Sequence, residues 1–294
     1  MTLSAERFRR RKSIEPSLSE VRSWWDENPY EYDSETADPA TADWIYFRNI
    51  DRRFLKRHSP WAQIGFPMLG GLVPYAELSG KQVLDVGCGT GWAAEQFAGT
   101  GARVTAFDLA PRHARLTRRR LELANQHGLA LEGDALQMPF ADGSFEFALA
   151  WGTIMHWPDP QKGVGELHRV LKPGGRAGAM LYHRNSVHWK WQLMFLHGVL
   201  LGWFLRMSPA EVARRLTNAP EVGGSPVARA YNRSEIQDMF EEFSEVRIRV
   251  FDLAETMGFL PSKRLPIFRY LIPGRLKDWL TRRVGWYLWV DVVK

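Results

Sequence analysis

With 45% hydrophobic and 13% aromatic residues over 294 positions, the chain can bury a sizeable core, and its composition excludes bulk disorder. Its single cysteine, Cys88, excludes an internal disulfide framework and a cysteine-cluster metal site, no metal is expected, and a reducing, cytoplasmic setting fits. The formal charge of +6 gathers in three runs, Arg7 to Lys12, Arg112 to Arg120 and Lys263 to Arg283. Such runs are either solvated helix faces or a surface for nucleic acid, anionic lipid or acidic substrates. No apolar stretch follows Arg7 to Lys12, so that run reads as a terminal arm and not as a secretory signal.

In chain order, Ser17 to Arg57 reads as helical, marked by Trp24, Trp25, Trp44, Phe47 and Phe54 and interrupted at Asn28-Pro29. A looser stretch with Gly and Pro runs from Ser59 to Gly80. Short apolar strands then alternate with helices, the pattern of a parallel sheet covered on both faces. The strands are Gln82 to Val86, Arg103 to Asp108, Ala130 to Glu132, Phe145 to Trp151 and Gly175 to His183. Between them lie helices Trp92 to Thr100, Pro111 to His127 and Gly163 to Leu171. Asn185 to Pro226 interrupts the alternation as a largely helical insertion, and Ser234 to Phe243 is a further amphipathic helix. Glu245 to Leu253 and Trp286 to Val293 are strands expected to pair antiparallel at one sheet edge, separated by a second insertion. The expected fold is α/β, a doubly wound seven-stranded sheet, mostly parallel with the last strand antiparallel, carrying helical caps. The segments are 1–80 (N-terminal cap), 81–184 (core), 185–233 (lid) and 234–294 (completion of the sheet).

Trp191 to Leu205 is almost uninterrupted in its apolarity. It is shorter than the roughly 20 apolar residues a spanning helix needs. Two readings stay open: a buried lid helix, or a helix lying on a membrane surface or lining a lipid pocket.

The strongest signal is VLDVGCGTG, Val83 to Gly91. A buried strand ends in Asp85 and enters a turn with Gly87, Gly89 and Gly91, where the absence of Cβ atoms lets backbone approach a ligand. The turn opens a helix at Trp92, whose first N–H groups can receive an anionic or polar group. A dinucleotide fingerprint has GxGxxG spacing; here it is GxGxG after an acidic residue.

This segment resembles the first motif of class I S-adenosylmethionine-dependent methyltransferases, in the ubiquinone-methyltransferase-like (methyltransferase type 11) group. AFDLA, EGDALQMPF, SFEFALAWGTIMHW and LHRVLKPGGRAGAMLYHR follow in the order of that family's later motifs. The likeness implies a Rossmann-like fold and S-adenosylmethionine as cofactor. It implies that Asp108 holds the ribose hydroxyls and that Asp134 and Ala135 form the turn beside adenine, with Leu109 and Met138 sandwiching the base. Asp85 or loop carbonyls would neutralise the methionine ammonium. Cys88 sits within the loop as a small filler, and Trp151 ends the fourth strand beside the cofactor.

Methyl transfer from a sulfonium is an in-line displacement that rests on positioning. A base is needed only where the accepting atom loses a proton. His156 and His183 are the candidates, each with the alternative of a structural hydrogen bond. Trp151-Gly-Thr-Ile stands where methylation of amino groups in nucleic acid uses an (Asn/Asp)-Pro-Pro-(Tyr/Phe) segment, and no cysteine is placed as a nucleophile. The density of Trp and Phe in the cap segments points to a small apolar or aromatic acceptor, such as a lipid, a quinone-like ring or a natural-product intermediate. A nucleic-acid or protein methyltransferase using the basic runs, and a non-catalytic binding module that kept the fold, are the competing readings. Peripheral contact with a membrane is a separate expectation.

Overall fold

In the computed structural model, residues 16–28, 38–58, 69–217, 223–251 and 274–294 are described. Eight strands form one sheet in the order β3-β2-β1-β4-β5-β8-β7, with β6 beside β5. They are β1 Gln82–Val86, β2 Arg103–Asp108, β3 Gly128–Glu132, β4 Phe145–Trp151, β5 Leu171–His183, β6 Ala230–Tyr231, β7 Glu245–Phe251 and β8 Tyr287–Val293. All neighbours run parallel except around β8, which is antiparallel to both β5 and β7. The expected seven strands are present, and the eighth is the two-residue β6, too short to carry a periodicity.

The central strands are buried along nearly their whole length, as β1 illustrates with Val83, Leu84, Asp85 and Val86. Continuous burial is what a parallel strand covered on both faces requires. Helices α1 Leu18–Glu27, α2 Trp44–His58, α3 Trp92–Gly99, α4 Pro111–Leu123, α5 Pro160–Val170, α6 Pro209–Thr217, α7 Arg233–Met239 and α8 Gly274–Val284 surround the sheet. A π-helix, His188–Leu200, follows β5.

Local chemistry sets several boundaries. α4 stops at Leu123, short of His127, because Asn125 takes a left-handed φ of 52° that asparagine tolerates. α5 starts at Pro160 and not at Gly163, since the Asp159 side chain accepts the Lys162 N–H at 3.1 Å and proline fits the first helical position. α1 begins at a capping box, with Ser17 and Glu20 exchanging bonds between side chains and backbone. The expected strand end at Leu253, the Arg7 to Lys12 arm and most of the second insertion lie outside the described residues.

One basic run departs from the simple surface reading. Arg120 of α4 is 1% exposed. Its Nη2 donates to both Asp51 oxygens at 2.8 and 2.7 Å, and its Nε donates to Glu95 at 2.5 Å. Arg48 closes the ring, donating to Asp51 at 2.8 Å and to Glu95 at 2.6 Å. This charge cluster ties α2 to α3 and α4. Within the same run His113 is buried and Arg115 and Arg118 are exposed, so Arg112 to Arg120 is not one continuous patch.

The apolar segment Trp191 to Leu205 is not a buried lid helix. Only Leu193 and Gly198 of the π-helix are buried, while Trp191, Phe195, Val199 and Leu200 are exposed, as are Leu201 and Leu205 beyond it. Among the described residues no helix is long and apolar enough to cross a membrane.

Candidate active site

Strand order reverses between β1 and β4, and a ligand cleft is expected outside the carboxyl ends of the strands at that point. A cleft, partly open to solvent, lies there. Part of its lining is the glycine loop with the ends of β2 and β3, represented by Gly87, Gly89, Asp108, Leu109, Asp134 and Ala135. Another part is aromatic, with Trp25, Trp92, Trp151, Trp157, Tyr182 and Tyr287, and His156 among them.

The loop needs its glycines for different reasons. Gly87, Gly89 and Gly91 all have positive φ, at 72°, 54° and 78°. A Cβ on Gly87 would meet Thr153 Oγ1 at 2.5 Å, and one on Gly91 would meet Thr117 Cα at 2.9 Å. A Cβ on Gly89 would meet nothing within 4 Å, because Gly89 faces the cleft. Gly91, although part of the motif, does not line the cleft; it lets α4 pack against the start of α3.

Asp108 is the electrostatic centre. Its Oδ2 accepts the Gly89 N–H at 2.9 Å, and its Oδ1 accepts the Ala110 N–H at 2.9 Å and meets His113 Nδ1 at 3.1 Å. Burial alone would raise its pKa; the His113 ring and the two N–H groups outweigh burial and hold the carboxyl below its ordinary range. Asp85 behaves in the opposite way. Burial first, and then the charge of Asp108, push it up to about 7 against the bond from the Ala94 N–H. Asp85 lies beneath the loop and does not line the cleft, and its Oδ2 has no hydrogen-bond partner among the described residues. Cys88 lines the loop, but burial and then the two carboxylates push its thiol well above the ordinary value, so it stays a small protonated filler.

The two histidines part company. His156 is in the cleft, 5.1 Å from the Trp25 ring, and its Nδ1 lies 2.5 Å from the Val227 carbonyl. A carbonyl only accepts, so Nδ1 carries the proton and Nε2 the lone pair. Burial and then the Arg229 charge, against that bond, bring its pKa down to about 4. His183 is outside the cleft lining, with Nδ1 donating to the Gly285 carbonyl at 2.9 Å. Met138 is likewise in the core and not the lining, whereas Leu136 and Leu109 both line the cleft.

Helix α1 falls in the segment 1–80 read from the sequence as a cap. It brings Leu18, Val21 and Trp25 over the cleft, anchored by an ion pair of Arg22 with Glu132 and by Asp26 accepting the Arg112 N–H at 2.7 Å. No individual side chain of α1 was among the expected site residues. Tyr287, from the last strand, carried no signal for the site.

The donor set fits S-adenosylmethionine. A glycine cradle that a Cβ would fill, an ionised carboxylate at the end of β2, and an orphaned buried carboxylate oxygen beneath the loop suit a ligand with ribose hydroxyls and an ammonium.

Residues 84–178 match the family described as a methyltransferase domain. The chain is 38% identical over 122 residues to a demethylmenaquinone methyltransferase of Chlorobaculum parvum, covering 40% of this chain and 49% of that protein. It is 37% identical over 130 residues to a ubiquinone biosynthesis O-methyltransferase of Idiomarina loihiensis, covering 43% and 52%. The chain thus spans about half the length of the curated relatives it matches. A Haemonchus contortus phosphoethanolamine N-methyltransferase solved with S-adenosylhomocysteine has the same fold, with a TM-score of 0.53, 17% identity, and coverage of 95% of this chain and 60% of that one. Residues 84–178 are therefore similar to a methyltransferase domain, and the sheet around them has the fold of a solved methyltransferase.

Proposed function

We propose that this protein transfers a methyl group from S-adenosylmethionine to a small apolar or aromatic acceptor, of which a quinone-type ring is one example. The observation that carries the reading is a single cleft lined both by the polar glycine loop and by aromatic side chains around His156. Two matched relatives are named for demethylmenaquinone and ubiquinone chemistry, which agrees with such an acceptor.

When bound, the cofactor supplies an activated methyl on a sulfonium. Asp108 would hold the ribose hydroxyls with the lone pairs left beside Gly89 and Ala110. Asp134 and Ala135, with Leu109 and Leu136, would hold adenine, and the loop from Gly87 to Gly89, over Asp85, would receive the methionine end. Trp25, Trp92 and Trp151 exclude water and orient a flat apolar acceptor. His156, neutral and protonated on Nδ1, would accept a hydrogen bond at Nε2 from an acceptor hydroxyl and so orient its oxygen. With a pKa near 4 it is a weak proton sink, which favours orientation over proton storage. Arg120 is inside a charge cluster and His113 is bonded to Asp108, so the nucleic-acid reading loses part of the basic run it rested on.

Calorimetric titration with S-adenosylmethionine and S-adenosylhomocysteine, followed by a panel of hydroquinone, catechol and lipid acceptors, tests the reading. Binding of both cofactor forms and methylation of a ring hydroxyl or carbon is expected. A folded protein that binds neither form overturns it.

A further inference from the structure

We infer that the exposed face of the π-helix docks the protein on an anionic lipid bilayer, beside the cleft. Soluble proteins rarely leave large apolar side chains contiguous on the surface. Here Trp191, Phe195 and Val199 recur every four residues, with the Trp191 and Phe195 rings 4.7 Å apart. Leu200, Leu201 and Leu205 follow, exposed by 66%, 57% and 86%.

Charge decides the occupant. From Arg184 to Ala210 the sequence has no Asp or Glu, while Lys190 and Arg206 stand exposed at either end of the apolar run. Apposing two copies on this face would bring like charges together, whereas anionic headgroups would neutralise them. Apolar side chains dipping below a rim of Lys and Arg are the pattern of an interfacial helix. Helix α8, which packs on β7, has a similar composition, with Leu276 and Trp279 exposed among Arg275, Arg282 and Arg283.

Position gives the face a purpose. The π-helix leaves β5 at the strand ends that form the cleft. Tyr182 of the cleft stacks on Trp286 at 4.7 Å, and Trp286 packs against His188 at 4.5 Å and Trp189 at 6.4 Å. One aromatic layer thus separates the cleft from the docking helix. Delivery of an apolar acceptor from the bilayer rests on the function proposed above; the docking itself does not.

Flotation of the full chain with phosphatidylcholine vesicles, with and without phosphatidylglycerol, tests the inference. The unaltered protein should float with the anionic vesicles and less so at high salt. Leu200→Ser with Leu205→Ser should lower the bound fraction at least about tenfold, since each leucine withdrawn from lipid is worth roughly that factor. S-adenosylmethionine titration of the same variant should be unchanged, which separates a failure of docking from a failure of the cofactor site. No flotation, equal flotation of the variant, or a dimer in sedimentation that the variant abolishes would overturn the inference, the last by assigning the face to a second copy.

Discussion

Asp108, at the end of β2, holds the glycine loop that follows β1 by accepting the Gly89 N–H at 2.9 Å. The residue expected to bind the ribose therefore also fixes the loop against which the methionine end would lie. Asp108→Ala should lower S-adenosylmethionine affinity at least about a hundredfold. It should also destabilise the ligand-free protein by roughly 3 kcal/mol, because the His113 ring and two buried N–H groups lose their acceptor. Unchanged affinity in titration calorimetry would sink the assignment.

Gly87 and Gly89 should respond differently to alanine. Gly87→Ala drives a Cβ into Thr153 and should cost roughly 3 kcal/mol in thermal unfolding, from overpacking added to positive-φ strain. Gly89→Ala meets no atom in the empty loop and should cost only the φ strain, about 1–2 kcal/mol, yet it should abolish cofactor binding. Equal losses of stability in the two variants would contradict this division.

Asp85 makes stability depend on pH. Its pKa rises from 3.8 to about 7 on folding, so the native state binds more protons than the unfolded chain between those values. Stability of the ligand-free protein should therefore fall as pH rises through that window, by at most roughly 4 kcal/mol. Asp85→Asn should raise the Tm more at pH 8 than at pH 5. It should also remove a rise in cofactor affinity with pH, since a bound ammonium favours the ionised carboxylate. A Tm shift that does not vary with pH would refute the effect.

For His156 the sign is opposite. Its pKa falls from 6.5 to about 4 on folding, so the unfolded chain binds more protons in that window. Stability is full above 6.5 and is lost as pH falls toward 4, by roughly 3 kcal/mol at most. His156→Gln should flatten this slope. It should also lower kcat/KM at least about tenfold while leaving cofactor affinity intact. Retained turnover would return the ring to a purely structural bond with Val227.

Arg120 tests the clamp on α2. Arg120→Met leaves Asp51 and Glu95 with only Arg48, and should destabilise the fold by about 3–5 kcal/mol in denaturant unfolding. Replacing Arg120 and Asp51 together by apolar residues should recover part of that loss. No recovery would locate the cost in packing and not in charge.

The strand–loop–helix unit from Gln82 to Gly99 was legible because every cue in it is local: a buried apolar strand, glycines where φ is positive, and a helix opening after them. Asp108 and Asp134, singled out by the order of the later motifs, both line the cleft. Of the aromatic lining only Trp151, together with His156, was legible. Trp25, Tyr182 and Tyr287 come from α1, β5 and β8, and their convergence depends on long-range packing that no local spacing encodes. His156 and His183 looked equivalent in sequence, each following a strand. Only the partner carbonyls of Val227 and Gly285, both distant in the chain, put one in the cleft and the other behind it.

Periodicity and turn chemistry, which act over a few residues, determined the alternating core, the cofactor loop and the antiparallel ending of the sheet. Tertiary structure decided which charges are buried, as for Arg120 and Asp85, and which apolar side chains are not, as for Leu200 and Leu205. The reason is physical: burial and desolvation are properties of what packs against a residue, and the sequence around that residue does not contain its neighbours.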